Sequence, residues 1–381
     1  DEIGHGRYAT VYIGQRSLKS EPVAIKLFKH TQPLPAAAAD STDDDNASHD
    51  ATRDATVSSL MDTAERNRAQ HMRDEVQRNA RCEVEALSAV ARFRCEHLPT
   101  LVDVVYQRTV SSTLDDDSDI DNRLLGATKR PRLLEEAERR LLASDKNVDN
   151  TDGSVGNNDG GGNDDENASS DSDIEDEVDD GGDDDALAAR PIQALILPLF
   201  SGGDLATFCD ASRGVSESLA KRIMRQLVSA VATLHSAGFV HRDIKADNVL
   251  VQSVDDDGCP HVILCDFGLS VREGAGPLRP SGTLEYIAPE ATLQNYTATA
   301  SIDCWALGVL LFALVAHRFP FANVQAIRSC RYAPSRRFSS QLTAFLARIL
   351  VEAPAQRLTV DQFFNDPWWN DDYPLELRTT E

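Results

Sequence analysis

The chain has 381 residues, a formal net charge of −24 at pH 7, 41% hydrophobic residues and seven cysteines. Its size and apolar content suit one or two domains with a hydrophobic core, and the acidic surplus argues against nucleic acid as a partner. The longest apolar run, residues 304–315, is too short to cross a bilayer, so no membrane partner is expected, and the scattered cysteines exclude a disulfide framework and indicate an intracellular compartment.

A glycine-rich turn between two strands is the first predicted element. Residues 3–12 read IGHGRYATVY, and glycines such as Gly4 and Gly6 let backbone N–H groups approach a phosphate closely. A simple hairpin with two glycines is the commoner meaning of this pattern. No helix is predicted directly after it, which argues against a dinucleotide-binding unit.

The next elements bring one lysine and two glutamates. Residues 23–28 read VAIKLF and predict an apolar strand around Lys26, although a lone lysine in a strand usually points to solvent. Residues 81–87 predict the start of an amphipathic helix that carries Glu83 and Glu85. A helix turns about 100° per residue, so only one of these two carboxylates can face the lysine.

Two acidic segments interrupt these elements. Residues 30–72 hold 8 acidic and 3 basic residues, and residues 108–190 hold 25 and 9. Both have a composition that cannot bury a core, so we predict two mostly disordered insertions, the first with a helix near residues 57–80. A basic patch at residues 129–132, KRPR, resembles a nuclear-import signal and adds the nucleus to the expected cytoplasmic location.

The second half of the chain begins with a strand and a long helix. Residues 192–200 read IQALILPLF, an apolar strand that leads into the sequence GGDL at residues 202–205. Leu219, Ile223 and Leu227 begin a repeat of apolar residues every three or four positions. This spacing predicts a helix with one face in the core.

Two polar loops, each beside a short apolar strand, carry the residues of greatest chemical interest. Residues 241–248 read HRDIKADN, and residues 263–268 read ILCDFG. Asp243, Asn248 and Asp266 supply carboxylate and amide oxygens, which are the hard ligands that Mg²⁺ prefers. An Asp-rich surface loop in another α/β protein is the plainer alternative, because a DFG triplet alone also occurs by chance.

In this order the motifs resemble those of the eukaryotic protein kinases. Lys245 and the sequence GTLEYIAPE at residues 282–290 match the serine/threonine type, and PWW at residues 367–369 loosely matches the calmodulin-dependent and AMP-activated branch. Ala9 stands where the family has the third glycine of the glycine-rich turn. Pro198 lies in the strand that resembles the kinase hinge, the segment that contacts adenine. Proline has no N–H, but the family requires only a carbonyl oxygen at this position.

The resemblance implies an α+β fold with two lobes, formed by a single kinase domain over residues 1–381. Residues 1–199 would form the small lobe, a five-stranded sheet with one helix and both insertions. Residues 200–381 would form the larger, mainly helical lobe around an almost wholly apolar helix. In that lobe the family pattern pairs Arg357 with Glu290.

The resemblance also implies ATP as a substrate, Mg²⁺ as a cofactor and proteins as the phosphate acceptors. Asp243 would orient the substrate hydroxyl, and Lys245 would steady the transferring phosphoryl group. Asn248 and Asp266 would hold the metal. Catalysis of this kind consists largely of positioning and charge stabilisation.

The nucleotide contacts follow from the same resemblance. Lys26 would position the α- and β-phosphates and would be held by Glu83 in preference to Glu85. The hinge would offer the Phe200 N–H to adenine, with Leu197 as the gatekeeper. The full expected ATP-binding set is Ile3, Gly4, Gly6, Val11, Ala24, Lys26, Leu197, Phe200, Asp204, Leu250 and Asp266.

One further position departs from the family in a way that bears on control. Arg279 stands three residues before Gly282, where many relatives carry an activating threonine, so we expect activity without phosphorylation of this segment. The rival hypothesis for the whole chain is a pseudokinase scaffold whose acidic insertions recruit partners. Kinases that have lost activity usually lack the residue equivalent to Lys26, Asp243 or Asp266, and this chain has all three.

Overall fold

The structure, a computed structural model, describes residues 2–15, 22–29, 51–106, 190–211 and 213–370, with the backbone alone described at residues 51–65 and 370. Most of the two predicted insertions, together with the basic patch at residues 129–132, lies outside the described residues. Buried apolar side chains form one continuous core through the sheet-containing part and the helical part of the molecule.

The first part of the molecule is built on five antiparallel strands. They are β1 Glu2–His5, β2 Ala9–Gln15, β3 Pro22–Phe28, β4 Asp103–Tyr106 and β5 Ile192–Pro198. Their order in the sheet is β1–β2–β3–β5–β4, which confirms the predicted five-stranded sheet. The register places Lys26 on the central strand between Val11 and Leu195.

One continuous helix, α1 (Ala51–Val90), accompanies this sheet. The sequence analysis predicted a helix from residue 81 that extends backwards near residues 57–80, and α1 confirms this. The assignment of residues 51–72 to a mostly disordered insertion is wrong, because these residues lie within α1. No proline or glycine occurs anywhere between the two ends of α1. Nothing in the sequence therefore interrupts the helical hydrogen bonds once they begin.

The second part of the molecule is mainly helical, as predicted. Its helices are α2 Leu205–Ala211, α3 Glu217–Ser236, α4 Ala300–Ala316, α5 Val324–Arg328, α6 Ser340–Ile349, α7 Val360–Phe363 and α8 Pro367–Asn370. Two short strand pairs join them, β6 Phe239–Val240 with β9 Val271–Arg272, and β7 Val249–Val254 with β8 Pro260–Leu264. Single 3₁₀ turns lie at Ala91–Phe93, Ala246–Asn248, Phe267–Leu269, Leu284–Tyr286, Glu290–Thr292 and Pro354–Gln356.

Helix α4 forms the centre of the helical part. Nearly all of its side chains are buried, including Trp305 and Phe312, as expected for a helix that is apolar on every face. Helix α3 packs against it and buries Ile223 and Leu227. Within the described part of the chain, no helix combines the length and the apolar character needed to span a membrane.

Strands β4 and β5 pair directly although the second predicted insertion separates them in sequence. Tyr106 is the register partner of Ile192. Gln77 of α1 accepts from the Ile192 N–H at 2.7 Å and donates to its carbonyl at 2.9 Å. The two points at which the insertion leaves and re-enters the sheet are therefore held side by side by described residues.

Deleting residues 110–188 is expected to leave the melting temperature and the basal activity nearly unchanged. Strands β4 and β5 would then be joined by a connection of hairpin length, and shortening a surface connection alters mainly its closure entropy. Thermal unfolding of the full chain and the shortened chain, side by side, measures this effect. A large fall in the melting temperature would show that the segment stabilises the domain.

Candidate active site

The Lys26 ammonium lies between two carboxylates from distant parts of the chain. Its Nζ atom donates to Glu83 Oε2 at 2.7 Å and to Glu83 Oε1 at 2.9 Å. It also donates to Asp266 Oδ1 at 2.8 Å. Glu83 is buried and Asp266 is half-exposed. Strand β3, helix α1 and the loop after β8 therefore meet at one cation.

The charges in this cluster stabilise one another. Burial by itself would lower the pKa of Lys26, but the Asp266 and Glu83 carboxylates raise it well above its usual value. The same ammonium lowers the pKa of Asp266 to about 2, so this carboxylate is ionised at physiological pH. Burial raises the pKa of Glu83, and Lys26 opposes that shift. The site thus holds a fixed cation beside a permanent anion.

Of the two candidate helix glutamates, Glu83 is the one that contacts Lys26. Glu85 accepts instead from the Arg272 guanidinium, at 2.9 Å from Nε and 2.5 Å from Nη2, at an exposed position. Residues two apart on an α-helix are separated by about 200° around its axis. One glutamate therefore faces β3 while the other faces β9.

In a second polar cluster, three residues make four contacts with the Asp243 carboxylate. Asn248 Nδ2 donates to Asp243 Oδ2 at 3.0 Å, and Lys245 Nζ lies 3.1 Å from the same oxygen. Asp243 Oδ1 accepts from the Thr283 backbone N–H at 3.0 Å and from the Thr283 hydroxyl at 3.1 Å. Lys245 also donates to that hydroxyl at 2.8 Å. Three of the predicted catalytic residues are thus in direct contact.

The backbone before Asp243 is held by a buried carboxylate of helix α4. Asp303 accepts from the backbone N–H of His241 at 2.8 Å and of Arg242 at 2.9 Å, and from His235 Nε2 at 2.9 Å. Arg242 has a φ of 70°, a left-handed conformation that is unfavourable for a residue with a side chain. The sequence analysis missed this role of Asp303, although a buried aspartate in an apolar helix must find hydrogen-bond partners.

Comparison with known proteins agrees with this geometry. Residues 186–369 match the family described as protein kinase domain. Residues 186–369 belong to a protein kinase domain. The match begins just before β5, and the contacts of Lys26 with Glu83 and Asp266 connect the sheet to the matched residues.

Several curated relatives are similar to this kinase domain. CBL-interacting protein kinase 29 of Oryza sativa subsp. japonica is 37% identical over 193 residues, which cover 49% of this chain and 42% of the relative. The SNF1-like protein kinase ssp2 of Schizosaccharomyces pombe is 28% identical over 199 residues, covering 50% of this chain and 34% of the relative. Serine/threonine-protein kinase SAPK2 of Oryza sativa subsp. indica is 31% identical over 199 residues, covering 48% and 58%.

The chain spans between 34% and 58% of the length of these three relatives. Their names and the family match support a kinase domain of the serine/threonine type, in the calmodulin-dependent and AMP-activated branch.

The kinase domain contains the expected pair between Arg357 and Glu290. The guanidinium donates from Nη1 to Glu290 Oε1 at 2.7 Å and from Nη2 to Oε2 at 3.1 Å. Nη1 also donates to the Ser301 carbonyl in α4 at 2.7 Å. This two-point contact attaches the end of the APE motif to the central helix.

The predicted nucleotide-binding residues fall into two groups. The group on the sheet and in the turn between β1 and β2 is Ile3, Gly4, Gly6, Val11, Ala24, Lys26 and Leu197. The group that follows β5 is Phe200, Asp204, Leu250 and Asp266. Ala24 pairs with Leu197, and as alternate residues of β3 Ala24 and Lys26 share one face of the sheet. Asp204 forms a bridge with Leu250, and its Oδ1 accepts from the Thr207 N–H at 2.7 Å, so one of its oxygens caps helix α2.

The Arg242 side chain donates hydrogen bonds to three groups. It donates from Nε to the Tyr296 hydroxyl at 3.0 Å and from Nη1 to the Leu269 carbonyl at 3.0 Å. Its Nη2 donates to the Ser281 hydroxyl. Arg279 is exposed. The guanidinium therefore joins two separated positions of residues 266–290, the activation segment.

Gly282 allows the activation segment to touch the catalytic loop. Its φ of 92° is one that glycine adopts at little cost. A Cβ atom at this position would lie 2.8 Å from the Arg242 carbonyl oxygen and 3.4 Å from Asp243 Oδ1. The missing side chain is what permits Thr283, the next residue, to reach Asp243.

Replacing Glu83 by glutamine keeps the side-chain volume but removes the buried charge that holds Lys26. We expect kcat/KM for phosphoryl transfer to fall by about 10²-fold, the scale seen when a reacting group is displaced by about 1 Å. Steady-state kinetics on the folded variant measure the loss. Glu85→Gln is the matched control, because it removes only an exposed ion pair of a class that contributes little. Equal rates in the two variants would contradict the distinction between these glutamates.

Proposed function

We propose that the chain transfers the γ-phosphate of ATP to serine and threonine hydroxyls of protein substrates. The observation that carries this proposal is the meeting of the Lys26 ammonium with Glu83 and Asp266. Phosphoryl transfer requires positive charge against the phosphate oxygens and a hydroxyl held in line with the bond that breaks. Lys26 supplies that charge at a fixed position, because both carboxylates hold its ammonium.

The Asp243 cluster is suited to the second requirement. Its carboxylate would accept a hydrogen bond from the substrate hydroxyl and so aim the attacking oxygen at the γ-phosphorus. Lys245, 3.1 Å from that carboxylate, would counter the negative charge of the phosphoryl group as its bond to ADP breaks. Asn248 and Thr283 keep the carboxylate in one orientation, which favours a reproducible line of attack.

Two oxygen ligands for a divalent cation lie at the ends of paired strands. Asn248 precedes β7 and Asp266 follows β8, and the Cys265 N–H donates to the Asn248 carbonyl at 2.9 Å. Because Asn248 Nδ2 is bonded to Asp243, its amide oxygen is the atom suited to a metal. This donor set fits Mg²⁺, which would neutralise charge on the phosphates of ATP. We therefore propose Asn248 and Asp266 as the residues that hold it.

Transfer of radiolabelled phosphate from ATP to casein and to a peptide library tests the proposed activity. We expect the wild-type chain to label serine and threonine, and Asp266→Asn to fall to background because the metal ligand is lost. Asp256→Asn, at an exposed position between β7 and β8, is the matched control and should retain the wild-type rate. If the wild-type chain transfers no more label than Asp266→Asn in any preparation, the pseudokinase scaffold is favoured instead.

We also propose that activity does not require phosphorylation of the activation segment. The support is the Arg242 guanidinium, whose three nitrogens already donate to Tyr296, Leu269 and Ser281 of the protein itself. Ser270, another hydroxyl in this segment, is fully buried and out of reach of an upstream kinase in this conformation.

Phosphatase treatment of the purified chain is expected to leave the rate of phosphoryl transfer unchanged. A sample treated with inhibited phosphatase is the control, and mass spectrometry of the segment before and after treatment reports its phosphate content. Loss of activity together with loss of a phosphate mapped to Ser281 or Ser270 would contradict the proposal.

We propose an intracellular location, cytoplasmic or nuclear, with ATP and protein substrates as the partners. All seven cysteines are free thiols, which is compatible with a reducing compartment. The nuclear part of this proposal comes from the basic residues Lys129, Arg130 and Arg132 alone, which lie outside the described residues.

A further inference from the structure

A histidine–carboxylate cluster lies where the connection after α1 meets strand β8, and it shares no residue with the nucleotide site. Glu96 and His97 belong to the connection, and His261 belongs to β8. One potential ligand atom from each residue lies within 4.8 Å of the other two. His97 Nε2 is 3.4 Å from Glu96 Oε1, and His261 Nε2 is 3.9 Å from Glu96 Oε2.

The hydrogen bonds of the two imidazoles decide which nitrogen carries the proton. His97 Nδ1 lies 3.2 Å from the Val262 carbonyl oxygen, and His261 Nδ1 lies 2.8 Å from Gln252 Oε1. Both oxygens can only accept, so each Nδ1 donates, and in the neutral ring Nε2 then bears a lone pair.

Three electron-pair donors therefore point into one small space. A metal ion between them, or a proton on one of the rings, would relieve the repulsion between these lone pairs. In a tetrahedral zinc site with bonds of about 2.0–2.1 Å, neighbouring ligand atoms are about 3.3 Å apart, close to the 3.4 Å between Glu96 and His97. The 3.9 Å distance to His261 ends on the other Glu96 oxygen, so the exposed carboxylate would have to rotate to present one oxygen to both rings.

We propose that Glu96, His97 and His261 bind a divalent transition metal, with Zn²⁺ as the best match. Imidazole nitrogen suits zinc, copper, iron and nickel, whereas Mg²⁺ prefers oxygen ligands, so this site differs in chemistry from the Mg²⁺ site proposed above. The Nδ1 hydrogen bonds of both rings are of the kind that orient metal-binding histidines. Three protein ligands leave a fourth position for water.

The surroundings allow the ion to enter and give it a structural role. The exposed side-chain fraction is 76% for Glu96, 33% for His261 and 10% for His97, so the site is anchored on a buried ring and open to solvent on one side. The His97 carbonyl already accepts from the Leu264 N–H at 3.0 Å. A bound metal would strengthen this attachment between β8 and the segment that follows Glu83 on α1.

The test is Zn²⁺ binding by the full chain in the absence of nucleotide. After a chelator has been added and removed, we expect the wild-type chain to take up one Zn²⁺ per molecule at this site, measured by competition with a chromophoric chelator. His261→Gln and Glu96→Gln each remove one ligand and should weaken binding at least about tenfold. His97 is kept, because its buried ring is bonded to the β8 backbone and its loss could unfold the domain.

His71→Gln is the matched control, because this histidine is exposed on α1 and the variant should bind as tightly as the wild type. Thermal unfolding gives a second readout, since Zn²⁺ should raise the melting temperature of the wild type and the control more than that of the two ligand variants. Millimolar Mg²⁺ should not displace the ion.

Two results would overturn the proposal. One is the absence of stoichiometric Zn²⁺ uptake by the wild-type chain, and the other is equal affinity in His261→Gln and the wild type, which would place the ion elsewhere. Neither readout involves phosphoryl transfer. A failure here is therefore distinguishable from a failure of the proposed kinase activity.

Discussion

One largely buried ammonium, that of Lys26, draws together three segments that lie far apart in the chain. Strand β3 supplies the cation, α1 supplies Glu83, and the loop after β8 supplies Asp266. A buried cation without partners is highly unfavourable, so the sheet, the helix and the helical part must approach one another for the lysine to be satisfied. The geometry needed to hold phosphate groups is therefore a result of how the two parts of the molecule pack.

The catalytic loop depends on a second buried charge of opposite sign. Burial by itself would raise the pKa of Asp303, but hydrogen bonds from His235 and the Arg242 N–H lower it, so an anion is kept inside the apolar helix α4. That anion holds the backbone of His241 and Arg242 in place. The His241 ring in turn lies 4.9 Å from the Phe267 ring of the DFG motif. The central helix thus organises both polar loops through one carboxylate.

The sequence predicted the parts of this site that are encoded in short contiguous motifs. The strand around Lys26 and the loop around Asp243 have local patterns that specify both conformation and chemistry. The helical period lets only one of Glu83 and Glu85 face Lys26, and the family resemblance favoured Glu83, which the structure confirms. Contacts across long separations were harder to foresee, because the approach of Glu96 to His261 is set by packing and not by spacing. The length of α1 was underestimated, because its first residues were assigned to the acidic segment 30–72 while the lack of helix breakers in α1 was given too little weight.

The backbone at Gly282 lies so close to the Arg242 carbonyl oxygen that a single added methyl group would disturb the loop of residues 241–248. Any larger residue there would have to abandon a left-handed backbone and would collide with the Arg242 carbonyl oxygen. The hydroxyl that bridges Lys245 and Asp243 would withdraw with it. A change that adds one carbon atom would therefore loosen the base of the reaction centre while leaving the phosphate-holding lysine intact.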